Sequence, residues 1–213
     1  SSYCCELVIP LMLDGEGYSS KSNDTKFAQI CSNDRIKEPL DEWLYFKIYG
    51  VEENIDYLLG EALFIPLQEL LKNKEIDSYF FIQYKDPDTH LRLRLKADKD
   101  RLIAVQPKMF DIFSKLMKQS IIFKYSIDCY ELELERYGGY DLMDYAHEVF
   151  HKDSIVIQSI IREKNNRNTE ISDELLALII IFFHMIKFKL SLEEMYIFLE
   201  CDNNTKNNKE EFK

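Results

Sequence analysis

Between Asp86 and Lys96 the chain reads Asp-Pro-Asp-Thr-His-Leu-Arg-Leu-Arg-Leu-Lys, and from His90 onward it alternates without a break. His90, Arg92, Arg94 and Lys96 fall on one side and Leu91, Leu93 and Leu95 on the other. That two-residue period belongs to a strand with one buried face. The Asp-Pro-Asp opening is turn chemistry, because proline fixes one φ and the aspartates cap local backbone groups. Such a strand needs neighbours to pair with and an apolar layer to cover its leucines. Its polar side admits two readings. The commoner is a solvated face. The sharper is a receptor for carboxylate or phosphate, since guanidinium forks bind these groups bidentately. The strand by itself leaves both open.

The surrounding sequence supplies partners for it. Trp43 to Gly50 is dense in aromatic and β-branched residues and predicts a strand. Val51 to Lys74 carries a helical stripe of Ile55, Leu58, Leu59, Ala62, Leu63, Leu67, Leu70 and Leu71, with a kink expected near Pro66. Tyr79 to Tyr84 is a second strand, and the Arg-bearing strand is the third. Asp100 is placed to cap a helix over Arg101 to Gln119, which Pro107 interrupts. Ile121 to Glu135 reads as a fourth strand, long enough to need a bend or bulge. The order β-α-β-β-α-β predicts an α+β fold of the ferredoxin-like, split βαβ pattern. Both helices then cover one face of the sheet, and His90, Arg92 and Arg94 belong to the other.

Tyr137-Gly138-Gly139 breaks the chain, and three helices are expected beyond it. They run over Tyr140 to Glu163, Asp173 to Phe188 and from Ser191 with a capping-box-like start, with a loop at Asn165 to Asn168. Residues 1–41 read as the tail of a preceding domain or a linker, with a strand at Leu7 to Met12 and a helical turn at Phe27 to Ile30. Residues 42–139 form the α+β core and 140–201 a helical subdomain. Residues 202–213 are a polar, disordered tail with little to bury. The start at Ser-Ser rather than Met fits a fragment.

With 213 residues and 46% apolar content the chain can bury a sizeable core, while a net charge of -11 argues against broad nucleic-acid binding. Five cysteines without a C-x-x-C spacing read as reduced thiols in a cytoplasmic protein, neither a disulfide framework nor a cysteine zinc site. The longest apolar run, Leu175 to Ile186, is broken by His184 and too short to span a bilayer. His147-Glu148-Val149-Phe150-His151 matches H-E-x-x-H, which in a zinc peptidase needs a third ligand. Glu170 and Glu174 are available, but nothing around them marks the role, and no metal is expected. Glu131, Glu133 and Glu135 alternate with Leu132 and Leu134. They are either a solvated acidic edge or partners that organise Arg92, Arg94 and Arg136. His184, within Phe182-Phe183-His184-Met185, reads first as a core or boundary histidine.

Three segments together resemble the C-terminal region of class I lantibiotic dehydratases, a region also found as a separate protein in thiopeptide pathways. They are Glu42 to Gly50, Tyr79 to Pro87 running into His90-Leu91-Arg92-Leu93-Arg94, and Glu135-Arg136-Tyr137-Gly138-Gly139. Glu148 to Ser154 fits the family's segment after the Gly-Gly, which gives the H-E-x-x-H match a non-metal explanation. Residues 1–40 resemble the end of the preceding dehydratase domain. The resemblance implies elimination of glutamate from glutamylated Ser or Thr of a precursor peptide, leaving dehydroalanine or dehydrobutyrine. An N-terminal glutamylation domain, in the same chain or separate, would supply the ester from glutamyl-tRNA. By position the resemblance gives Arg92, Arg94, Arg136, Glu133 and His184 catalytic roles, with His90 and Glu135 binding substrate. It implies no cofactor. It leaves open a homodimer, contacts with a cyclase and a transporter, and membrane association through such a complex. The sequence departs from the family after the histidine, where Phe188-Lys189 stands in place of an Asn-Arg pair.

Two other outcomes fit parts of this pattern. One is a non-catalytic scaffold that binds a leader peptide or dimerises, because a fold can outlast its chemistry. The other is a cycloaddition enzyme of the kind related domains form in thiopeptide pathways. Arginines gathered on one face favour elimination over either.

Overall fold

The structure is a computed structural model that describes residues 35–50, 54–85, 88–167 and 172–197. The strand and helical turn expected before residue 31, Asp86-Pro87 and the polar tail lie outside these residues. Two short strands, β1 (Ile36–Lys37) and β6 (Tyr130–Glu131), pair antiparallel. The main sheet comprises β2 (Trp43–Gly50), β3 (Ser78–Tyr84), β4 (His90–Lys96) and β5 (Ile122–Asp128) in the order β3-β4-β2-β5. Every neighbouring pair is antiparallel. Each helical crossover therefore joins two like-directed strands with one strand between them.

The first crossover holds α1 (Ile55–Tyr57), a π-helical turn (Leu58–Ala62) and α2 (Phe64–Lys72). The irregularity expected at Pro66 is the π turn ahead of it. Pro66 itself sits in the first turn of α2, where a missing N–H leaves no gap. The second crossover is α3 (Lys99–Lys118), capped by Asp98 rather than Asp100, whose side chain accepts from the Arg101 N–H. Pro107 does not end α3: it lies on the exposed side of the helix, where the carbonyl it cannot satisfy is able to meet water.

The leucines of β4 are fully buried with Leu44, Phe46 and Ile48 of β2. Helical residues Leu58, Leu63, Leu67, Leu102, Val105, Met109 and Phe113 complete that core. A second apolar cluster covers part of the opposite face and is built from Trp43, Tyr45, Phe80, Tyr130, Leu132, Leu134 and Met143. The fourth strand is shorter than its alternation suggests. It breaks at Cys129, and β6 ends at Glu131. Residues 134–138 then turn, with the N–H groups of Arg136 and Tyr137 directed to the Glu133 carbonyl. Leu132 and Leu134 still point inward, because the turn folds over the sheet and buries them. The apolar period was right, but the pairing was not.

Helix α4 (Tyr140–Arg167) runs through the loop expected at Asn165 and crosses the β3 edge of the sheet. Its first half packs Met143 and Phe150 against the aromatic cluster, and its second half brings Ile155 and Ile161 to the helical core. Midway, His151 Nδ1 lies 2.8 Å from the Tyr79 carbonyl oxygen, and Ser154 Oγ accepts from the Phe81 N–H at 3.1 Å. Those are backbone groups of an edge strand that no other strand pairs among the described residues. The sheet and α4 thus form one compact unit, whereas the sequence suggests a division at residue 140. A second unit contains α5 (Asp173–Lys187), started by Ser172, and a helical run at 192–197.

Helix α4 comes close to the first crossover at Gly60, in the π turn. A Cβ built there would lie 2.8 Å from Ile161 Cγ2 and 3.2 Å from the Arg162 nitrogen. A Gly60→Ala variant is expected to lose about 1–3 kcal/mol of unfolding free energy, read from denaturant titration. A neutral or stabilising result would contradict the close approach of α4.

Candidate functional site

Strand register assembles the site. On the face opposite the two crossover helices, Arg94 stands between Tyr45 of β2 and Phe80 of β3. Arg92 stands between Lys47 and Ile82, and His90 between Tyr49 and Tyr84. The polar side of β4 is therefore not a plain solvated face: His90 is 2% and Arg94 6% exposed.

Arg94 is held by aromatic faces. Its guanidinium carbon lies 4.4 Å from the Tyr45 ring centroid, 4.5 Å from Tyr130 and 5.0 Å from Phe80. Nε and Nη1 are buried without a hydrogen-bond partner among the described residues. Burial lowers its pKa, an effect that the phenol groups of Tyr130 and Tyr45 oppose. An arginine nonetheless remains protonated. Ring quadrupoles attract the cation but accept no N–H in its plane. A small cavity of about 20 Å³ lies beside it, lined by Phe80, Ile82, Arg94, Tyr130, Glu133, Tyr137 and Phe150. That is room for about one water.

The other sequence-derived residues divide into groups. Glu133 lines this cavity and pairs at 3.1 Å with Arg136, so the turn brings the Glu133–Arg136 pair to the Arg94 site. Arg92 stacks on Tyr84 with its guanidinium carbon 3.4 Å from the ring centroid, and its Nε donates to His90 Nε2 at 3.1 Å. His90 Nδ1 lies 2.8 Å from the Asp88 carbonyl, and burial pushes the imidazole pKa down. His90 thus holds Arg92 rather than lining the cavity. Glu135 pairs with Arg35 and does not line it either. His184 belongs to the second unit, where its Nδ1 lies 2.8 Å from the Ile180 carbonyl and its ring stacks toward Phe188.

The two histidines of the H-E-x-x-H match do separate jobs. His151 meets the β3 edge. His147 is buried, with its ring 4.7 Å from Trp43 and its Nε2 2.9 Å from the Tyr130 hydroxyl. No group of three metal-binding side chains occurs among the described residues. The sequence did not mark Tyr130, and it marked His147 only through the H-E-x-x-H match. Aromatic density was the signal for Tyr130, and it cannot say which rings meet one cation. No helix among the described residues is long and apolar enough to cross a membrane.

Arg94, its neighbours Tyr45 and Phe80, and Arg136 of the turn all fall within the three resembling segments. Residues 43–213 match the family described as Lantibiotic biosynthesis dehydratase C-term, and the chain belongs to that family. It is 27% identical over 213 residues to subtilin biosynthesis protein SpaB of Bacillus subtilis, covering 100% of this chain and 21% of that protein. It is 32% identical over 137 residues to nisin biosynthesis protein NisB of Lactococcus lactis subsp. lactis, covering 62% of this chain and 13% of that one. Among solved structures, it is similar to the tRNA-dependent lantibiotic dehydratase MibB from Microbispora sp. 107891. That match has a TM-score of 0.55 and 26% identity over 59% of this chain and 12% of MibB. The chain therefore spans about a fifth or less of the length of these relatives.

Burial, with Lys96 close by, pushes the His147 pKa down to about 4, against an opposing pull from Asp144. The unfolded chain then binds the proton more readily than the folded one. Stability from this group is complete above the usual imidazole range and is lost as the pH falls toward about 4. Unfolding free energy is expected to fall by about 2–4 kcal/mol more between pH 7 and pH 4 in the parent than in His147→Gln. Parallel pH profiles for the two proteins would contradict a neutral, buried His147.

Proposed function

We propose that this chain eliminates glutamate from glutamylated Ser or Thr residues of a ribosomal precursor peptide, giving dehydroalanine or dehydrobutyrine in lantibiotic biosynthesis. The observation that carries the proposal is Arg94, a buried cation with two nitrogens that have no acceptor among the described residues, beside a cavity. A carboxylate accepts in the plane of the guanidinium and fits at either edge. The glutamyl group offers one.

The chemistry asks for three things. The Cα–H proton must go to a base, the Cβ–O bond must break, and the glutamate must depart as a carboxylate. Arg94 would hold the glutamyl group and meet the charge that develops as it leaves. Arg136, steered by Glu133, and Arg92, pinned by His90 and Tyr84, would add positive potential beside it. His184 is proposed as the base. If its Nδ1–H donates to the Ile180 carbonyl, Nε2 is left as the basic nitrogen. Family membership supports the same reaction class.

The glutamylated precursor is the proposed substrate, and a glutamylation domain, in this chain or another, the proposed source of the ester. Glutamyl-tRNA would be met only through that domain. A second copy of this chain and other biosynthetic enzymes are further proposed partners, in the cytoplasm.

Mass spectrometry of a glutamylated precursor peptide incubated with the 213-residue chain tests this proposal. Loss of the glutamyl mass with formation of a dehydro residue is expected, slowed about 10²–10³-fold by Arg94→Ala. A persistent ester with the parent chain would sink the proposal for this chain and favour a non-catalytic scaffold. Elimination at the parent rate in Arg94→Ala would remove Arg94 from the site.

A further inference from the structure

The Arg94 site has a support that lies outside the residues assigned to elimination. The Tyr130 ring packs on the guanidinium at 4.5 Å, and its hydroxyl lies 2.9 Å from Nε2 of His147. His147 is in turn wedged by rings: Trp43 at 4.7 Å, Phe80 stacked at 5.8 Å, and Phe150 at 6.5 Å between centroids. Among the described residues its Nδ1 is buried without a hydrogen-bond partner, and the carboxylate oxygen that faces it, on Asp144, is 3.9 Å away. Asp144 is itself held by Lys96 at 3.1 Å. The charged groups facing the imidazole are therefore Lys96 and Arg94 from β4 and Asp144 from its own helix.

This arrangement determines where the hydrogen goes. Two cations and burial keep the ring neutral at ordinary pH, with a pKa near 4. A neutral imidazole whose Nδ1 faces a carboxylate carries its hydrogen there, and Nε2 is the acceptor. The Tyr130 hydroxyl is then committed to His147. Without that bond the phenol could turn about its side-chain torsions, and one of the three aromatic faces against Arg94 would be lost. The fork of Arg94 is thus aimed by a helix that never touches it through a polar atom.

We propose that His147 is a positioning residue: by accepting from the Tyr130 hydroxyl it fixes the ring that holds the Arg94 guanidinium in its carboxylate-binding orientation. The proposal rests on the reading of Arg94 as a carboxylate receptor, and its test separates the two. The first measurement is arginine Nε–H NMR of the 213-residue chain, which needs no substrate. The probe is the ring-shifted, slowly exchanging Nε–H that disappears in Arg94→Lys, which separates it from the Nε–H of Arg92 over Tyr84. In His147→Leu and Tyr130→Phe that signal should move toward the unshifted arginines, while His147→Gln, which keeps an acceptor, should hold it. An unmoved signal in His147→Leu overturns the proposal, whatever happens to binding. So does a Gln variant that loses the shift as fully as Leu.

The second measurement is the KM and kcat for a glutamylated peptide. His147→Leu and Tyr130→Phe are expected to raise KM about tenfold, the worth of one cation–ring contact or hydrogen bond, with kcat changed far less. His147→Gln should stay within about threefold of the parent. A parent chain with no turnover would count against the elimination reaction and leave the NMR outcome standing. An active parent whose KM is unmoved by His147→Leu would overturn the positioning role. The sole tryptophan, Trp43, packs on His147 and reports in near-ultraviolet circular dichroism whether each variant keeps its fold.

Discussion

Arg94 is the least comfortable group in this fold, and much of the architecture can be understood as its accommodation. A guanidinium removed from water loses hydration worth several kcal/mol, and ring faces return only part of it. The sheet contributes Tyr45 and Phe80 at the same register level, one from each neighbouring strand. The chain leaves the main sheet at Asp128, and after the short pairing of β6 with β1 Tyr130, Leu132 and Leu134 close the side and Glu133 approaches. Helix α4 seals the remainder with Met143, His147 and Phe150. Such an arrangement is strained in one sense only. Two of its nitrogens have no acceptor among the described residues, a deficit that a bound anion would relieve.

The electrostatics around it show a division of labour. Each remaining charged group near the face has a partner: Arg92 with Tyr84 and His90, Arg136 with Glu133, Lys96 with Asp144, Lys47 with Asp128. Those pairs are partly exposed, so each contributes little to stability. Their effect is to fix side chains that would otherwise sweep across the sheet. The cavity stays small because Tyr137 and Phe150, an edge-to-face pair at 5.1 Å, stand against it. A glutamyl group needs more room than one water. Tyr137 adjoins the paired left-handed glycines Gly138 and Gly139, which carry the turn into α4.

The element order and the faces of β4 were legible in the sequence because both rest on short-range period. Strict alternation from His90 to Lys96 could be nothing but a strand, and the leucines had to be inside. What misled was the same rule applied once too often. Tyr130, Leu132 and Leu134 alternate as a strand would, yet they are buried by a turn that folds over the sheet, and period cannot tell pairing from folding over. Asp98 rather than Asp100 is the helix cap: both are aspartates, and the extended φ/ψ of a cap falls on Asp98. Among site residues, Arg94 and Glu133 were legible from spacing and family pattern. Tyr130 and His147 were not, since their roles come from contacts across long separations. His147 and Glu148 match a metal motif, for which no metal was expected, because sequence motifs carry no direction in space.

The edge of β3 has a consequence for how this domain lives among extended peptides. Its backbone groups at Tyr79 and Phe81 are met by an imidazole and a hydroxyl projecting from α4, rather than by another strand. A helix that answers an edge strand in this way acts as a stopper against runaway association. No peptide, and no second copy of the sheet, can zip onto that side without first prying the helix loose. For a domain proposed to act on a precursor peptide, this side of the sheet offers side chains and not a free strand edge.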